Sequence, residues 1–203
     1  MSRFLKSFLV ATVICLVFAA HTAPAQNLAS RPAAWAQKFA LAGVPNCYQV
    51  TTNLYRGAQP TAEGMARLKA LGVRFVVSLR MLRSDRHELR GTELKTLNLG
   101  MVPWHPSAAD VVKFLKTATD TNNLPLFIHC HYGADRTGLM CAMYRIVVCD
   151  WTKAEAIAEM RNGGFNFNPA WKGLVAFIEN SDVADLKRRV GLPEINTTVA
   201  SRN

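Results

Sequence analysis

A cysteine and an arginine stand six residues apart in the stretch His129-Cys130-His131-Tyr132-Gly133-Ala134-Asp135-Arg136-Thr137-Gly138. Each type meets one need of phosphoryl chemistry. A cysteine offers a thiolate nucleophile, and an arginine offers a planar fork matched to two oxygens of a bound anion. Gly133 and Gly138 let the backbone come close to a ligand. The stretch therefore reads as an anion-binding nucleophile loop.

Such a loop needs elements to hold it. Leu126-Phe127-Ile128, introduced by Pro125, reads as a short buried strand, and Leu139 to Val148 is an apolar segment long enough for a buried helix. The ten residues between would form a strand-to-helix turn. A helix start leaves backbone N–H groups unpaired, with the positive end of the helix dipole behind them. Phosphate would seat there, and the same amide dipoles would favour a thiolate at Cys130.

The pattern His-Cys-x-x-Gly-x-x-Arg-Thr-Gly resembles the signature of the cysteine-dependent protein tyrosine and dual-specificity phosphatases. That resemblance implies Cys130 as the nucleophile that becomes a phosphocysteine and Arg136 as the clamp on the equatorial oxygens. It implies Thr137 as a hydroxyl helping the thiolate or its departure, and His129 as a hydrogen-bonding support behind the loop. His131, Tyr132, Gly133, Ala134 and Thr137 would contact substrate. Upstream, Leu54-Tyr55-Arg56-Gly57-x-Gln59-Pro60, followed by a helix and a Val-Val-Ser-Leu-Arg strand, is similar to the N-terminal half of exported bacterial phosphatases of the dual-specificity type. The resemblance spans roughly residues 53–178.

One expected part is missing. The family usually supplies an Asp upstream of the loop to protonate the leaving group, and Gly100 to Pro106 holds none. Asp135, directly before Arg136, resembles the myotubularin variant of the loop, in which that Asp is taken as the donor. Asp110 and His105 are the alternatives. Ser107-x-x-Asp110 also fits a capping box, which would turn Asp110 toward its own helix. His105 lies in a loop, and a histidine can carry a proton at neutral pH.

Arg80 ends a strand, where ligands of α/β sheets gather, and is expected to line the cleft. The rest of the charged run to Arg90 reads as a solvated helix with local ion pairs. Val50 to Tyr55 reads as an edge strand, Thr61 to Leu71 as a helix, Val73 to Leu79 as a central strand and Leu94 to Leu99 as another. Further helices are expected at Thr152 to Asn162, capped by Thr152 with Glu155, from Pro169 to Asn180, and at Leu186 to Val190. Ala33 to Ala42 reads as a short helix. The fold class is a single α/β domain with a mainly parallel sheet of four to five strands flanked by helices. Its expected organisation is a signal peptide at 1–25, a leader at 26–46, the catalytic domain at 47–180 and a basic helix with a tail at 181–203.

Arg3 and Lys6 precede the apolar run Phe8 to Ala20, and Ala23-Pro24-Ala25 follows with small residues at a cleavage spacing. The expectation is export to the periplasm with no lasting membrane insertion; a retained anchor is the alternative. The chain carries 24 Lys+Arg against 14 Asp+Glu, and removing Arg3 and Lys6 leaves 22 against 14, or +8. This charge is distributed rather than clustered, which gives no sign of nucleic-acid recognition. Cys47, Cys130, Cys141 and Cys149 would remain, mostly as free buried thiols. Cys141 and Cys149 would lie about 12 Å apart along one helix, too far to bond to each other. No cofactor is called for, and His129 with His131 lacks a second ligand cluster for a metal.

The expected activity is hydrolysis of phosphomonoesters on tyrosine-phosphorylated protein. Phosphoinositides or inositol phosphates are the alternative substrates. A rival of another class is a module that captures phosphoryl groups without turnover. A sulfur-transfer or arsenate-reducing enzyme also uses a loop thiolate, but the Arg-Thr-Gly ending speaks against it.

Overall fold

The computed structural model describes residues 31–102 and 104–193. The expected signal peptide and the polar end of the tail lie outside them. Six strands form one sheet in the order β1 (Gln37–Lys38), β2 (Tyr48–Thr51), β3 (Leu54–Gly57), β6 (Leu126–His129), β4 (Phe75–Ser78), β5 (Lys95–Asn98). The sheet is wider than the four to five strands expected, because residues 37–38 and the hairpin β2–β3 extend it. Strands β3, β6, β4 and β5 are parallel, and β1, β2 and β3 pair antiparallel.

Alternation in β6 and β4 sends side chains to both faces, and both faces are covered. Val76 and Phe127 pack with Met65 and Leu68 of α1 (Ala62–Ala70) on one side. Leu54, Val77, Leu126 and Ile128 pack on the other, against α2 (Ala108–Thr119), α3 (Asp135–Val147), α4 (Lys153–Asn162), α5 (Lys172–Asn180) and α6 (Val183–Val190). Helix starts follow the capping residues: Thr61, Ser107, Thr152 and Asp182 each accept from the amide three positions on, and Thr152 with Glu155 completes a capping box. No helix among the described residues is long and apolar enough to cross a membrane.

Three expectations are corrected. Residues 33–42 form a turn and the short strand β1 rather than a helix. The Ala36 amide donates to Glu159 Oε1 and the Ala34 carbonyl accepts from Arg145, so tertiary bonds override alanine's helix propensity. Val50 to Tyr55 is not one edge strand but spans the turn between β2 and β3, and β3 is interior, beside β6. The run Arg80 to Arg90 holds turns without a helix, and Asp85 within it is buried.

The parallel register aligns Gly57, His129, Ser78 and Asn98 at one rim of the sheet. The turns that follow these four residues therefore converge at the carboxyl ends of the strands, where α/β folds hold ligands.

Candidate active site

Between the end of β6 at His129 and the start of α3 at Asp135, the chain makes the tight turn 130–134. Gly133 has a φ of +68°, and a Cβ there would stand 2.3 Å from the Gly57 carbonyl carbon and 2.5 Å from the Ala58 nitrogen. Only glycine lets the loop lie this close to the turn after β3. Every carbonyl from His131 to Ala134 is held from behind. Gln59 N donates to His131 O at 3.1 Å, and Asn46 Nδ2 donates to Tyr132 O at 3.0 Å and to Phe165 O at 3.1 Å. Arg56 Nη2 donates to Gly133 O at 2.7 Å and to Ala134 O at 3.3 Å.

The N–H groups of His131 to Ala134 have no partner among the described residues. Helix α3 also starts without a side-chain cap, unlike α1, α2, α4 and α6. Carbonyls tied back and amides left open make a cradle for an anion. Thr137 is fully buried, and its hydroxyl has no partner among the described residues.

Cys130 is buried and lines a cleft of about 750 Å³ together with Tyr132, Ala134, Asp135, Arg136 and Trp171. Arg136 is anchored by Nη1, which donates to Leu79 O at 3.0 Å and to Met101 O at 3.4 Å. Tyr132, 72% exposed, and Arg136 also border a second cleft of about 350 Å³, lined by Arg80, Arg83, Trp104 and His131 as well. Arg80 lines this second cleft and not the one that Cys130 lines, and its guanidinium donates to Gln59 Oε1 at 2.6 Å.

The candidate proton donors separate by position. Asp135 lines the Cys130 cleft and accepts from the Asn168 amide through Oδ1 at 2.8 Å. Asp110 accepts from Ser107 Oγ at 2.8 Å in the cap of α2 and lines neither cleft. His105 is exposed and lines neither.

Three residues at the site carried no role in the sequence reading. Asn46 joins the loop to the α4–α5 connection. Arg56 is buried inside β3 with its guanidinium 3.7 Å over the Phe165 ring. The signals for it were its place in the upstream motif Leu54-Tyr55-Arg56-Gly57 and an inward register in the strand. Asp85 accepts from His129 Nε2 at 2.9 Å and from Gln59 Nε2 at 3.1 Å, and His129 Nδ1 meets Cys130 O at 3.1 Å. Burial pushes the Asp85 carboxyl up, but the His129 hydrogen bond and charge with the Gln59 bond outweigh it, leaving it below its ordinary range.

Burial pushes Cys47 up to about 12 and Cys141 up to about 11, and raises Cys149 as well. All four described cysteines are unpaired.

Comparison with known proteins agrees with this geometry. Residues 45–169 match the family described as DSP-PTPase phosphatase fused to NAD+ kinase. The dual specificity protein phosphatase TpbA of Pseudomonas aeruginosa is 35% identical over 167 residues, covering 80% of this chain and 74% of that protein. Its crystal structure superposes with a TM-score of 0.72 over 80% of this chain and 99% of that one, at 34% identity. A Cys-to-Ser variant of TpbA in complex with phosphotyrosine gives a TM-score of 0.71. The inositol diphosphatase DSP3 of Arabidopsis thaliana is 28% identical over 158 residues, covering 73% of this chain and 75% of that one. The chain belongs to the dual-specificity (DSP-PTPase) family of cysteine-dependent tyrosine phosphatases.

Proposed function

We propose that this chain hydrolyses phosphomonoesters on tyrosine-phosphorylated protein through a phosphocysteine. The observation that supports it most is the placing of Cys130 and Arg136 on one cleft at the uncapped start of α3. Kinship with TpbA, whose structure holds phosphotyrosine, favours that substrate. In this reading the Cys130 thiolate attacks phosphorus in line and forms the S–P bond as the bond to the leaving oxygen breaks. Asp135 protonates that oxygen, because it alone of the three candidate donors lines the cleft. The open loop amides and Arg136 hold the equatorial oxygens as charge spreads over them. Water then attacks phosphorus and gives a proton to the Asp135 carboxylate, the S–P bond breaks, and phosphate leaves with the thiolate and the Asp135 acid restored. Arg80, His131 and Tyr132, at the second cleft, would contact substrate beyond the phosphoryl group.

We read residues 1–25 as a signal for export, which would place the phosphatase in the periplasm. Residues 26–46 are then a leader packed on the domain 47–180, with 181–203 as a basic helix and tail.

The test is phosphate release, under reducing conditions, from phosphotyrosine and phosphoserine peptides and from a phosphoinositide. Turnover of tyrosine peptides that drops by about 10⁴-fold in Cys130→Ser supports the reading. Asp135→Asn should slow poor leaving groups more than p-nitrophenyl phosphate. Binding of phosphopeptide without any turnover would replace the enzyme by a capture module. Preference for the lipid would move the substrate to phosphoinositides.

A further inference from the structure

Behind the nucleophile loop runs a chain of hydrogen bonds whose direction is forced from one end. Arg80 can only donate, so the Gln59 oxygen must face it and the Gln59 amide nitrogen must face Asp85. The carboxyl group therefore accepts at Oδ1. Its other oxygen meets His129 Nε2 at 2.9 Å, and the opposite ring nitrogen, Nδ1, meets the Cys130 carbonyl at 3.1 Å. A carbonyl cannot donate, and an ionised carboxylate cannot either. Both His129 nitrogens thus face acceptors, a surrounding that suits a ring with two N–H groups.

The two side chains are 0% and 1% exposed. Nothing else charged bonds to the ring among the described residues; Phe127 stacks on it with centroids 5.8 Å apart. A buried cation without a counter-ion is prohibitively costly, and Asp85 is that counter-ion.

We infer that Asp85 is a positioning residue for the reaction: it holds His129 as an imidazolium whose second N–H pins the Cys130 carbonyl, setting a fixed positive charge behind the thiolate. Asp85 acts only through His129 and touches no substrate. Its sequence neighbourhood is a surface run of arginines, which is why it reads as solvated until the fold is known. The role rests on the phosphatase reading above, with Cys130 as nucleophile.

The test begins with the unaltered chain, labelled with ¹⁵N-histidine and assigned by through-bond connectivity. Two-bond ¹H–¹⁵N spectra at pH 7 should show both His129 ring nitrogens carrying protons; a single bare nitrogen overturns the inference. The second arm is Asp85→Asn, which keeps the shape and removes the charge. Its new amide can donate to Nε2, so the ring should lose one proton while Nδ1 keeps its bond to Cys130. Alkylation of Cys130 by iodoacetamide at pH 6 should then slow by about tenfold, because less thiolate is present. The raised thiols Cys47 and Cys141 stay silent at that pH. With p-nitrophenyl phosphate, kcat should fall by about the same factor while KM holds within about twofold. A variant that only melts earlier, with alkylation, kcat and ring protonation unchanged, reduces Asp85 to a structural residue and overturns the inference. The spectra and the alkylation do not need turnover, so an inactive wild-type chain would sink the phosphatase reading alone.

Discussion

Two pairs of titratable side chains are buried among the described residues, and they are put to different uses. Arg145 of α3 meets Glu159 of α4 through two contacts of 2.9 Å, and Asp85 meets His129 at 2.9 Å under the nucleophile loop. In both, every charged group has further partners, as buried ions require. The partners differ. Arg145 and Glu159 bond to the backbone at Ala34 and Ala36, and Trp151 covers the guanidinium at 4.2 Å. That pair clasps two helices to the backbone at residues 34–36 and reaches no residue of the cleft. The other pair ends on the carbonyl of Cys130. A clasp is best made with an arginine, which never loses its proton, whereas a site that tunes a thiolate can use a group whose charge depends on its counter-ion.

The largest expected effect that tests this contrast is on the clasp. Glu159→Ala strands a buried guanidinium and should lower the free energy of unfolding by about 3–5 kcal/mol, measured by urea titration. In the folded fraction kcat should hold within about twofold, since the pair shares no partner with the loop. A tenfold loss of kcat per folded molecule would erase the distinction between the two pairs.

A smaller effect is expected in acid, from the Asp85–His129 pair. The fold holds the Asp85 carboxyl below its unfolded range. Its stabilisation is therefore present above about pH 4, the ordinary carboxylate value, and is lost as pH falls further through the folded value. Thermal unfolding between about pH 5 and pH 2 should show a slope that Asp85→Asn reduces. An unchanged slope in Asp85→Asn would mean that the Asp85–His129 pair contributes nothing through its charge.

The smallest effect concerns the displaced candidate donor. Ser107→Ala should cost about 1 kcal/mol of stability through loss of the α2 cap, and Asp110→Asn should leave kcat within about twofold. A large fall in kcat for Asp110→Asn would return the proton donor to α2 and break the assignment to Asp135.

What the sequence determined by itself was local. The loop from His129 to Gly138, the strand before it and the helix after it are contiguous, so spacing alone picked out Cys130, Arg136 and the turn proposed to hold the anion. The caps at Ser107 and Thr152 were legible for the same reason: a cap and the amide it holds are three residues apart. The tertiary structure alone decided what crosses the sheet. Arg56 supports the loop across 77 positions, Asn46 across 86 and Asp85 across 44. A charged run has the same composition whether it is a solvated helix or a turn that buries one carboxylate, so residues 80–90 were misread. Ala33 to Ala42 was misread because helix propensity is worth tenths of a kcal/mol per residue, about what a single net hydrogen bond to a distant helix outweighs. Short-range spacing chose the chemistry, and the long-range pairings chose which buried groups hold it in place, because only the folded chain brings a donor-only arginine, an amide, a carboxylate and an imidazole into one line.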